Sequence, residues 1–179
     1  DCRGNALSTS STAAVAALDS ATAQLNAFHG DPVGTLVEAL KAHPDFVMGH
    51  AFLAAVFATA VDRTFDSYTH RALSAAEPLL ARANDRERAH VAAARLFAEG
   101  DFERATETWG RIAVDHPRDI FAIPMAQQGD FFLGHSTMLR DRVARVLPHW
   151  NESVPGYGYV LGMHAFGLEE AGDYRRAEA

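Results

Sequence analysis

Apolar residues recur along this chain at intervals of three and four, the spacing that places them on one face of an α-helix. The pattern is sharpest from Arg86 to Pro117, RERAHVAAARLFAEGDFERATETWGRIAVDHP. Ala89, Ala92, Ala93 and Leu96 set small residues along one side of a first helix. Ala105, Trp109 and Ile112 set a small, a large and a medium residue at i, i+4 and i+7 of a second. Gly100 supplies the positive φ that ends the first helix, Asp101 caps the second, and Pro117 stops it. One such pair cannot bury its own apolar face, so other pairs must stack on it.

The remaining chain divides in the same way. Ser8 to Thr12 offers N-caps for a helix through Phe28 whose face is Ala14, Ala17, Leu18, Ala21, Leu25 and Phe28. Gly30-Asp31-Pro32 then opens a second helix that ends before His43-Pro44. Asp45 is the expected cap of a third, Phe46 to about Val61, apolar almost all round and so inside the stack. A fourth runs from Thr64 to Ala83 with Pro78 kinking it. After the central pair come Asp119 to Phe132, irregular at Pro124, then Ser136 to Leu147, a connector at 151–156, and Tyr157 to Glu170. Approximate helix pairs are 8–42, 46–83, 85–116, 119–148 and 156–179, the last incomplete.

An internal period supports this division. Gly100 and Gly134 lie 34 residues apart, as do Phe97 and Phe131; Gly100 and Gly172 lie 72 apart, two periods plus four connector residues. The order of small residue, bulky plug and terminal proline at this period is that of the tetratricopeptide repeat. The expected fold is therefore all-α, a single helical-repeat solenoid of antiparallel helix pairs wound as a right-handed superhelix. Both ends look cut, Asp1 standing where a Met is expected and Ala179 falling inside a helical pattern, so a fragment of a longer repeat array is expected. An unpaired final helix would leave Leu161, Ala165 and Leu168 partly uncovered, and self-association through it is one expected consequence.

The strings PDFVMGHAFLA (Pro44 to Ala54), RERAHVAAARLFAEGDFERATETW (Arg86 to Trp109), DHPRD (Asp115 to Asp119), LRDRVARVLPHW (Leu139 to Trp150) and PGYGYVLGMHAFGLEEAGDY (Pro155 to Tyr174) together resemble the tetratricopeptide repeat protein 38 family, whose members are longer. The resemblance implies a helical-repeat protein, of which this chain is the N-terminal part, and carries no catalytic motif onto these residues.

Charge narrows the partners. A formal net charge of -7 and no Lys/Arg run argue against nucleic acid or an anionic membrane surface, and no apolar stretch reaches the ~20 residues of a membrane span. A single cysteine, Cys2, points to a reducing compartment, the cytoplasm.

Nine histidines make acid/base or metal chemistry worth weighing. His43 and His50 are separated by Pro44 onto different helices, and His50, in an apolar helix, reads as a satisfied core residue. Glu87, His90 and Phe97 fall on one face of a first helix, the helix that lines the concave wall in this repeat. Phe131 and Phe132, then Tyr159, Phe166 and Glu169, would extend that wall; the competing reading makes Phe97, Phe131 and Phe166 core residues. PGYGYVLG lacks the Lys-Ser/Thr and the strand of a phosphate loop, and no Gly-x-Ser-x-Gly elbow is present. The expected function is a scaffold that recognises a peptide or partner protein in a groove over Glu87, His90, Phe97, Phe131 and Tyr159, with no catalytic residue, cofactor or metal assigned. A basic or amphipathic ligand suits the acidic charge. The alternative is an enzyme or small-molecule binder using His90 and Glu87 with His50 or His164.

Overall fold

The computed structural model describes residues 1–178, among which there are ten α-helices, three short 3-10 turns and no β-strand. In chain order the helices are α1 (Thr12–Asn26), α2 (Pro32–Ala42), α3 (Val47–Thr59), α4 (Asp66–Ala76), α5 (Asp85–Ala98), α6 (Phe102–Asp115), α7 (Ala122–Leu133), α8 (Ser136–Val146), α9 (Tyr157–Glu170) and α10 (Tyr174–Ala177). Ala179, with which the fifth expected pair closes, lies outside the described residues. Successive helices pack as hairpins, α1 with α2 through α9 with α10, and the hairpins join where α3 lies along α5, α6 on α7, and α8 on α9. The chain is thus all-α with sequential pairing.

Local chemistry sets the boundaries. Ser11 caps α1 through its hydroxyl to the Ala14 N–H, Asp31 caps α2 through the Gly34 N–H with Pro32 in the first turn, and Asp101 caps α6. Gly100, Gly134 and Gly172 all adopt positive φ, and behind each the next residue's N–H reaches back to the Leu96, Asp130 or Leu168 carbonyl at 2.8–2.9 Å. The same helix-ending motif therefore recurs at the period seen in the sequence.

Three expectations are corrected. Phe28 does not continue the α1 face: α1 ends at Asn26, and Phe28 takes φ 49° in the following turn, where the residue is 98% exposed. Asp45 does not cap α3, which starts after Phe46 with no side-chain cap. The helix expected over 64–83 is shorter, because α4 stops at Ala76 and Pro78 falls in a 3-10 turn, Glu77–Leu79, where its missing N–H is tolerated. Pro124 lies in the first turn of α7 for the same reason.

The core runs the length of the molecule. α3 is buried on every side from Val47 to Ala55, and Trp109 has no exposure, its ring 5.9 Å from that of Phe97. Small residues allow the helices to close up. A Cβ on Gly167 of α9 would fall on the Leu139 carbonyl and within 2.6 Å of the Arg140 Cα of α8, both backbone atoms that cannot swing aside. Gly167→Ala is therefore expected to push α9 off α8 and cost about 2–3 kcal/mol, the upper part of the range for overpacking. Urea denaturation measures it; a change under ~0.5 kcal/mol would mean that α8 and α9 do not meet at this point.

Candidate functional site

The residue on which the centre of the molecule converges is Asp119, in the turn between α6 and α7. Its Oδ1 accepts the N–H groups of Phe121 (3.1 Å) and Ala122 (2.9 Å) and so caps α7. Its Oδ2 accepts from Arg86 Nη1 at 2.6 Å and from His90 Nε2 at 2.8 Å, both on α5. Burial alone would raise the Asp119 carboxyl, but the charge and hydrogen bond of His90, the Arg86 guanidinium and the Ala122 N–H outweigh it and hold the group well below the usual carboxylate range. Asp119 is thus an ionised acceptor, so His90 Nε2 carries a proton. The same turn sends Phe121 inward, where it stacks on Phe52 of α3 at 4.6 Å and lies 5.4 Å from the His90 ring.

Glu87 faces the other way along the first turn of α5. Its Oε2 accepts the Asn84 N–H at 3.0 Å while Asn84 Oδ1 accepts the Glu87 N–H at 2.9 Å, a closed capping box. Its Oε1 accepts the Ser8 N–H at 2.9 Å, from a segment 79 residues earlier in the chain. Residues 2–10 form a strap that begins in a turn, the Gly4 N–H on the Asp1 carbonyl at 3.1 Å with Gly4 at φ 89°, and runs on without helix; Arg3, Asn5, Leu7 and Thr9 are turned inward and Cys2, Gly4, Ala6, Ser8 and Ser10 face solvent. Arg86 Nη2 and Asn84 Nδ2 both donate to the Ala6 carbonyl at 3.1 Å. Arg3 donates to Asp19 of α1 at 3.2 Å and to the Pro155 carbonyl at 2.9 Å, and Asn5 Nδ2 donates to the Arg118 carbonyl at 3.2 Å. No helical periodicity marks this strap in the sequence, where larger and smaller residues alternate over 3–9.

The predicted wall therefore splits. Glu87 and His90 have 0% exposure and Phe97 has 3%, Phe97 packing on Phe102 and Trp109, so these three line no open surface. His90 does come within hydrogen-bond reach of a carboxylate, but both ring nitrogens are walled in: Nδ1 is buried without a partner. What the arrangement does is tie α5, the start of α7 and the strap together. His50 gives its Nε2 to the Pro44 carbonyl at 2.8 Å, the core role expected of it. His164, whose Nε2 is buried without a partner, is pushed down by burial and by Arg176 and Arg140.

Phe131 and Tyr159 are on the surface instead. Phe131 (53% exposed) contacts Phe132 with ring centroids 6.2 Å apart and Phe166 of α9 at 6.1 Å. Tyr159 lies seven residues before Phe166, two turns away on one face of α9, and is also exposed, as is Leu161; Leu168, by contrast, is buried. This is an aromatic face on α7 and α9. A second ion cluster fixes α7: Arg142 of α8 donates to the buried Asp130 at 2.6 Å and to the exposed Glu107 of α6 at 2.7 Å, in space left by the missing Cβ of Gly110.

Among the described residues no three His, Cys, Asp or Glu side chains are grouped to hold a metal ion, and no helix is long and apolar enough to cross a membrane. A shallow cavity of about 270 Å³ opens between α4 and the α5–α6 turn, lined by Asp62, Asp66, His70 and Phe102 among others. No protein-family model matches the sequence, and no solved structure matches the fold significantly.

Proposed function

We propose that this chain is a tetratricopeptide-type binding scaffold, part of the tetratricopeptide repeat protein 38 family and resident in the cytoplasm, that docks an amphipathic segment of a partner protein. The docking face is the aromatic surface of α7 and α9, Phe131, Phe132, Phe166 and Tyr159. The observation that carries this reading is that Phe131 lies against both Phe132 and Phe166 at the surface instead of turning into the core. Clustered exposed aromatics supply large contact area at low entropy cost, the usual anchors of an interface. The chain's charge of -7 favours a segment with basic residues flanking its apolar stripe. Glu87, His90 and Phe97 act in this reading as supports of α5 and not as contacts.

A displayed random-peptide library selected against the parent chain tests it, with each recovered peptide then titrated against Phe131→Ser/Phe166→Ser. Recovered peptides should be amphipathic and basic and should bind the variant about 30-fold more weakly, the loss of ~2 kcal/mol typical of an interface anchor. Equal affinity for both proteins, with helicity unchanged, would remove the aromatic face from the reading.

A further inference from the structure

We infer that the trough lined by Asp19, Asn84, Arg86, Glu87 and the Arg118 and Pro155 carbonyls is a recognition site for a peptide segment with a glycine turn near its start, filled in cis by residues 2–9 of the same chain. This is a second site, independent of the aromatic face.

The polar atoms of the trough are aimed at a peptide backbone. Two donors, from Asn84 and Arg86, converge on the Ala6 carbonyl, and the Glu87 carboxylate takes the Ser8 N–H two residues on. Asp19 Oδ2 takes the Cys2 N–H at 3.0 Å. Arg86 and Glu87 are 5% and 0% exposed, so these are desolvated groups directed at main-chain atoms, which any residue at the outward positions 2, 6 and 8 would present equally. Selectivity comes from the inward positions. Arg3, 8% exposed, is read by the Asp19 carboxylate and the Pro155 carbonyl, Asn5 by the Arg118 carbonyl, and Leu7 packs against the core. A segment of the form Arg-Gly-Asn-x-Leu meets each of these demands, the glycine supplying the positive φ, 89° at Gly4, of the turn that sets Arg3 and Asn5 on their partners. Three residues of the trough are fixed without the strap. Asn84 and Glu87 are fixed by their capping box, and Arg86 is held by Asp119, which is held in turn by α7.

The experiment is to cut the strap free without removing it. A protease site inserted between Thr9 and Ser10 leaves Ser11 to cap α1, and the full chain is purified before cleavage. After cutting, residues 1–9 should co-elute with the body on gel filtration. A synthetic peptide of residues 1–9, labelled at the exposed Cys2, should exchange into the body. The same peptide carrying Arg3→Ala and Leu7→Ala should bind at least tenfold more weakly. If the cut body loses its helical circular dichroism and added peptide restores it, binding in trans is again demonstrated. The inference is overturned if residues 1–9 leave a body that stays folded and takes up no labelled peptide, if the body unfolds and the peptide does not rescue it, or if the doubly substituted peptide binds as well as the parent one.

Discussion

Replacing Asp119 with Ala is expected to destabilise the protein by about 3–5 kcal/mol, the cost of breaking a buried ion pair by removing one partner. The loss is large because four donors lose their acceptor together: Arg86 Nη1, His90 Nε2 and the N–H groups of Phe121 and Ala122. Among the described residues His90 Nδ1 and Arg86 Nε have no partner, so His90 has no second bond to fall back on and Arg86 keeps only the one from Nη2 to the Ala6 carbonyl. Asp119→Asn keeps the shape and separates charge from packing. Because the folded Asp119 carboxyl is held below its ordinary value, the stability it contributes is complete above the unfolded pKa of about 4 and is lost as pH falls below it. Parent and Asp119→Asn should therefore differ most at neutral pH and converge in acid. Urea midpoints measured from pH 7 down to pH 3 check this; a constant gap across that range would show that the Asp119 charge does not distinguish folded from unfolded protein.

The residues of this hub explain what could be read from the sequence and what could not. Helix ends were legible because their signals are local: a glycine at positive φ, a capping Asp or Ser, a proline in a first turn. The small residue and plug at Ala105 and Trp109 were legible for the same reason, since i and i+4 share a face whatever lies opposite. The surroundings of α5 were not. Glu87, His90 and Phe97 do share a side of their helix, but a periodicity gives no information on what a distant segment lays over that side. Here the Ser8 N–H arrives at Glu87 and Asp119 at His90, from 79 residues before and 29 residues after. Polar residues on a helix face read as solvent-facing unless their partners are known, and these partners sit in stretches with no helical signal. Phe131 departs from Phe97 in the opposite sense. It is one period after Phe97 yet exposed, because α7 is seated chiefly on α6 and α8 and so presents a different face from α5 at the equivalent position.

Trp109→Ala is expected to cost about 3–5 kcal/mol, and Trp109→Phe much less. The indole is fully buried, packed in α6 where that helix meets α5 and α7, and its Nε1 has no hydrogen-bond partner. It therefore acts as an apolar plug, and a phenyl ring retains most of its contacts while leaving no polar atom newly unpaired. In an array where each repeat touches only its neighbours, the damage would stay within α5 to α8, and unfolding would separate into steps. The strap argues otherwise. Arg3 is bonded to α1 through Asp19 and to the start of α9 through the Pro155 carbonyl, 152 residues away, and the same strap is held by α5. Loss of the plug should then lower the stability of α1 and α9 along with that of α6. Hydrogen exchange on Trp109→Ala should show protection falling by a similar free energy in α1, α6 and α9 under conditions where global opening dominates. Combining Trp109→Ala with Arg3→Ala should confine the fall to α5 through α8. Undiminished protection in α1 and α9 in the single variant would mean that the strap does not couple the helix pairs. A denaturation midpoint within ~0.5 kcal/mol of the parent would mean that Trp109 is not the plug.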